Sequence, residues 1–133
     1  MFGDEMSLTG YTIGTKDGHT QVELRWKAVR KPSADYLVFV HALDGAGALV
    51  FQADHPLRNA TAVSTSGWTA GDSVEDRFLA TPPANRPAGT YSLRVGLYLK
   101  SPMKVLQLTQ PVLPQPTDGW KNQAVMFANV ECK

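Results

Sequence analysis

Residues 90–99 read TYSLRVGLYL, and their alternation decides the fold. Tyr91, Leu93, Val95, Leu97 and Leu99 fall on one side, with Ser92, Arg94, Gly96 and Tyr98 on the other. A period of two with one apolar set describes a β-strand that buries one face. Asn85 to Gly89, just ahead, supplies a turn. Gly96 weakens a strand interior unless a bulge or a close backbone approach needs it.

Two hairpins lie upstream. Asp17-Gly18 is a two-residue turn of the type that requires positive φ at both positions. Pairing Lys16 with His19 sets Ile13 opposite Val22, Tyr11 opposite Leu24 and Thr9 opposite Trp26. Cross-strand partners share a face, so Ile13, Tyr11, Val22, Leu24 and Trp26 form an apolar surface. Glu23, Arg25 and Lys27 point away from it. In the second hairpin the turn is Asp44-Gly45-Ala46-Gly47, with Leu43 against Ala48. Counting back places His41 opposite Val50, Phe39 opposite Gln52 and Leu37 opposite Asp54. Tyr36, Val38, Val40, Ala42, Leu49, Phe51 and Ala53 make the core face, and His41, Gln52 and Asp54 share the other.

Eleven glycines and nine prolines in 133 residues separate short apolar runs. Strands are expected over 6–14, 20–29, 35–43, 48–54, 73–80, 90–99, 103–108 and 123–131. Eight strands and no helical period predict an all-β chain, an antiparallel two-layer sandwich or barrel forming one domain over 1–133. The expected core holds Trp26, Val38, Val40, Phe51, Tyr91, Leu93, Val95 and Leu97. Pro111 to Pro116 reads as a crossing connection. Residues 55–72 are the longest stretch without alternation, and loops of that length tend to be functional or mobile.

A formal net charge of +1 argues against nucleic acid, which needs a clustered basic surface. No apolar run approaches the roughly 20 residues that span a bilayer. The opening MFGDEMSLTG lacks a signal-peptide pattern, which with one cysteine suggests the cytoplasm. Cys132 alone excludes an internal disulfide and a multi-cysteine metal site. The small charge and the sheet edges predict a homodimer.

The order of RWKA, DYLVFVHALDGAGALVFQADHP, GWTAGDSVEDRFLATPP and PAGTYSLRVGLYLKS carries a family likeness. It resembles the β-sandwich domain that follows the membrane-spanning part of some bacterial and archaeal glycosyltransferase-like proteins. The matching positions are Trp26, Tyr36, His41, Asp44, Gln52, Asp54, Pro56, Trp68, Asp76, Gly89, Tyr91, Gly96, Leu97 and Tyr98, within about residues 8–110. The resemblance implies an immunoglobulin-like or jelly-roll sandwich outside the membrane, with no catalytic role for the module. Two departures from the pattern are expected: a chain that stands alone without a membrane part, and, since Phe127 to Lys133 ends on charged residues and a cysteine, an altered or exposed last strand.

The candidate ligand-binding residues are His41, Gln52, Asp54, Trp68, Arg94 and Tyr98. Carboxylate and amide groups bind hydroxyls, and an aromatic ring supports the apolar face of a sugar. The competing reading of the polar strip is a buried network that holds strands in register. Trp68 and Trp120 each follow a glycine and are either sugar platforms or plugs at the ends of the sandwich. His41, Asp44, Asp54 and His55 lack zinc spacing, and Asp44-Gly45 lacks the acidic repetition of a calcium loop, so no metal or cofactor is expected. Ser64, Thr65, Ser66 and Cys132 sit in no nucleophile motif, and an Asp54–Asp76 carboxylate pair fits turn and register roles more simply. The expected function is non-catalytic recognition of a glycan or another small polar ligand. The alternative is a structural or protein-interaction domain.

Overall fold

The computed structural model describes residues 2–59, 61, 63–82, 84, 89–100, 103–106 and 124–132. The turn at 85–88, the proline-dense 111–116 segment, Trp120, and residues 107–108 and 123 of the expected last strands lie outside them. The described residues form nine strands and one short 3-10 turn. Strands β1 (Met6–Lys16), β2 (His19–Ala28) and β6 (Ser73–Leu79) make the first sheet, in the order β1-β2-β6. The second sheet runs β4 (Leu49–Gln52), β3 (Leu37–Leu43), β7 (Gly89–Lys100) and β8 (Met103–Val105). Two more strands join it: β5 (His55–Pro56) pairs with β3, and β9 (Val125–Cys132) pairs with β7. All pairings are antiparallel, and the two sheets enclose one apolar core as a β-sandwich.

The first hairpin follows its turn chemistry. Asp17 and Gly18 take φ of 52° and 80°, and Ile13↔Val22 and Tyr11↔Leu24 pair as expected. The expected Thr9–Trp26 pair does not form. A β-bulge at Thr9 places Leu8 opposite Trp26 and Gly10 opposite Arg25. The bulge turns an apolar residue onto the core, and Leu8 is buried. Gly10 leaves room for Arg25: a Cβ would stand 2.6 Å from its Nη2, so the guanidinium that lies across the strand would have to shift.

The second hairpin carries a register correction. His41 faces Gln52 and Ala42 faces Phe51, whereas Leu43 faces Leu49. The turn is one residue longer than counted, because Asp44 N–H donates to the Ala48 carbonyl and the Asp44 carboxylate accepts from Ala46 and Ala48 N–H. A bulge at Val50 adds a second offset of the same sense. Two single-residue shifts restore the facing, so Val38, Val40 and Ala42 are core while His41 and Gln52 share the outer face. Leu49, expected in the core, is exposed because it lies between the two offsets.

Strand β7 keeps the alternation of its sequence: Tyr91, Leu93, Val95 and Leu97 are buried against the first sheet's Val22, Leu24 and Trp26 cluster. Among the described residues the last strand has one sheet neighbour and turns part of its apolar side inward. It pairs with β7 and buries Phe127, Val130 and Cys132. Burial pushes the Cys132 thiol up to about 11, so it is a protonated core group at neutral pH. At one end of the sandwich Thr20 Oγ1 donates to the Glu131 carbonyl at 2.6 Å, and the Tyr11 and Phe127 rings meet with centroids 4.3 Å apart.

Candidate functional site

The polar strip on the outer face of the second sheet assembles most of the expected residues. His41 pairs with Gln52 on one side and Arg94 on the other, and Leu37 pairs with Tyr98. Arg94 donates to Nδ1 of His41 from Nε at 3.2 Å and from Nη2 at 2.9 Å. A guanidinium only donates, so Nδ1 is the acceptor and His41 is the neutral tautomer protonated on Nε2. Burial, then the Arg94 charge, pushes the imidazole below its usual range, against the opposing charge of Asp54. Phe39 lies between them, with ring centroids 5.0 Å from His41 and 6.4 Å from Tyr98. Burial and the nearby Asp54 charge raise the Tyr98 phenol.

Much of this face is closed to solvent. Phe39 is 3% exposed, His41 8% and Arg94 7%. The Asp54 carboxylate is committed to the backbone. Its Oδ1 accepts from Val40 N–H at 2.9 Å, while Val40 returns its carbonyl to Ala53 N–H at 2.9 Å. The carboxylate thus replaces a ladder acceptor where the chain breaks between β4 and β5. Of the strip, only Gln52 and Asp54 are exposed, with Tyr98 half-buried.

Trp68 is no platform. It is 1% exposed, and its indole N–H donates to the Val63 carbonyl at 2.9 Å, so neither ring face is open to a ligand. Around it several described residues of the 55–72 loop are bonded to the fold. Thr65 Oγ1 donates to the Ala34 carbonyl and accepts from Tyr36 N–H, and Ser66 bonds to the Asp35 carboxylate through N–H and Oγ. Those bonds tie the loop to residues 34–36.

His55 and Asp76 are brought together from opposite sheets. Asp76 sits opposite Leu24 on the inner face of β6, and His55 belongs to β5. Nε2 of His55 lies 2.9 and 2.8 Å from the two Asp76 carboxylate oxygens, and Nδ1 lies 2.8 Å from the Ala53 carbonyl. Both neighbours are acceptors, so the imidazolium is the matched species. Burial opposes its charge, but the Asp76 carboxylate, the Ala53 carbonyl and Asp54 together raise the imidazole above its ordinary range. Neither ring nitrogen is left for catalysis. A raised folded value means the pair stabilises fully below the unfolded value of about 6.5 and loses this contribution as pH rises through the folded value. Urea melts should therefore show stability falling as pH rises above about 6.5. Asp76→Asn should cost about 1–3 kcal/mol at pH 6 and flatten that fall; an unchanged pH profile would refute the assignment.

The four residues considered for metal are each held elsewhere: His41 by Arg94, Asp44 by its turn, Asp54 by Val40 and His55 by Asp76. Among the described residues no group of three His, Cys, Asp or Glu side chains converges on a point.

The residues missed by sequence lie on the first sheet. Its outer face holds an open cleft of about 570 Å³. Arg25, Arg77 and Glu75 project from β2 and β6, Arg58 comes from the loop after β5, and Thr9, Ser73 and Asn59 add neutral polar groups. Glu23 pairs with Arg77, and Arg25 with Glu75, across the two strands. Arg25 Nη1 and Arg77 Nε each donate to Glu23 at 3.2 Å, and Arg77 Nη2 donates to Glu75. The wet Glu23–Arg25 alternation is the one available signal; Arg58 has none, since its loop shows no period.

No family model, curated protein or solved structure matches the chain.

Proposed function

We propose that this chain is a non-catalytic recognition module that binds a glycan or another small polar ligand. The cleft on the outer face of the first sheet carries the reading. Its volume of about 570 Å³ suits a small ligand, and its walls offer fixed donors and acceptors of the kind that bind hydroxyl groups. Thr65 Oγ1 and Cys132 Sγ donate to backbone carbonyls, which supports binding over chemistry at these two groups. The likeness to sandwich domains of glycosyltransferase-like proteins, with its immunoglobulin-like or jelly-roll topology, belongs to the same proposal. It rests on the order of the matching motifs.

The second reading is a structural or protein-interaction domain. The buried Arg94–His41 pair and the register bond of Asp54 favour it, because they assign the expected binding strip to the framework. Self-association as a homodimer fits either reading. Its support is β1, an 11-residue strand paired among the described residues with β2 alone, and sedimentation at a strict monomer mass would remove it.

A neutral and acidic glycan array, run beside melts of Asp54→Ala and Gln52→Ala, separates these cases. Asp54→Ala should lower stability by about 1–3 kcal/mol, because Val40 N–H loses its acceptor. Gln52→Ala, at an exposed position, should change it little. Both variants should retain glycan binding. Loss of binding in Asp54→Ala with an unaltered melt would move the ligand to the second sheet. An array without any binder would leave the structural reading.

A further inference from the structure

We infer that the cleft of the first sheet selects an anionic sugar, one bearing a carboxylate, sulfate or phosphate, and that Arg58 reads the anion. This deepens the recognition reading above and rests on it. Three arginines line the cleft against one carboxylate, Glu75, and a positive charge remains even when Glu23 behind it is counted. Arg25 and Arg77 are positioned by those carboxylates. Arg77 uses Nε and Nη2 for Glu23 and Glu75, which leaves further N–H groups of its fork for a ligand. Arg58 makes no hydrogen bond or ion pair among the described residues. Its charge acts on Asp35, which already accepts from Ser66.

Backbone bonds of its described neighbours hold Arg58 in place. Arg58 bridges Ser64, and Asn59 N–H donates to the Val63 carbonyl at 3.1 Å. The Asn59 side-chain oxygen accepts from Thr61 N–H, Thr61 Oγ1 and Val63 N–H at 2.9–3.0 Å. The indole of Trp68 then ties Val63 to the core. With its neighbours Asn59 and Val63 already bonded, Arg58 has mainly its side chain to order on a ligand, which lowers the entropic cost of binding. A planar guanidinium matches a carboxylate, sulfate or phosphate with two parallel bonds. Thr9, Ser73 and the Asn59 amide N–H groups flank it with the donors and acceptors that sugar hydroxyls require.

The test titrates the full chain, wild type and Arg58→Ala, with four probes: a glucuronic-acid disaccharide, its neutral glucose counterpart, its sulfated counterpart, and inorganic sulfate or phosphate. At low salt the acidic disaccharides should bind at least about tenfold more tightly than the neutral one, an advantage that added salt erodes. Arg58→Ala should remove that advantage with its melt unchanged, since the residue is exposed. Equal affinity for acidic and neutral sugars, or an advantage that survives Arg58→Ala, overturns the anion assignment and leaves the recognition reading standing. Sulfate or phosphate binding as tightly as the acidic sugars overturns the sugar class. Binding of no saccharide defeats both.

Discussion

Trp26→Ala should lower the unfolding free energy by about 3–5 kcal/mol, a large share of what a domain of this size possesses. The side chain is fully buried at the centre of the first sheet, between Leu8 on β1 and Val74 on β6. Its ring meets that of Phe2 edge-on, with centroids 5.6 Å apart. Truncation removes that apolar area from the core and leaves a cavity that three strands cannot close together. The indole N–H has no hydrogen-bond partner among the described residues. Trp26→Phe should therefore cost only the lost ring volume and recover much of the stability. Chemical denaturation of both variants checks this, and a loss below about 1 kcal/mol for Trp26→Ala would contradict the central place given to the residue.

Trp68→Ala should be as costly, about 3–5 kcal/mol, for a partly different reason. Trp68 closes the 3-10 turn Thr65–Gly67, its own N–H donating to the Thr65 carbonyl, and its indole holds Val63. Its loss empties a core position and frees the loop that presents Arg58. Trp68→Phe isolates the indole bond and should cost about 1 kcal/mol beyond the change in volume, unlike Trp26→Phe, where no such bond exists. Acidic-sugar binding should weaken in Trp68→Ala even where the protein is still folded. A stable Trp68→Ala that loses only binding would restore the tryptophan as a sugar platform.

The polar strip is legible in the sequence as a set, but its purpose is not. His41, Gln52 and Arg94 do share a face, because two one-residue offsets in the second hairpin cancel in their facing. Their burial is hidden, because alternation identifies a face without showing whether that face meets water. Trp68 illustrates the same limit: a glycine before a tryptophan is compatible with a platform and with a plug, and its 1% exposure decides for the plug.

The amino-acid order by itself determined the all-β class, the Asp17-Gly18 hairpin and the two faces of residues 90–99. Each of these rests on local physics: a period of two, or a turn that only certain residues adopt. The bulges at Thr9 and Val50, the His55–Asp76 link between the sheets and the cleft around Arg58 were decided only by the tertiary structure. A bulge forms because core packing rewards turning Leu8 inward, and that reward comes from Trp26 across the sheet. His55 and Asp76 stand 21 positions apart and on different sheets, and Arg58 reaches the cleft of Arg25 and Arg77 through the route of a loop without periodicity. Interactions of that kind depend on where the sheets finally lie, which no stretch of local pattern records.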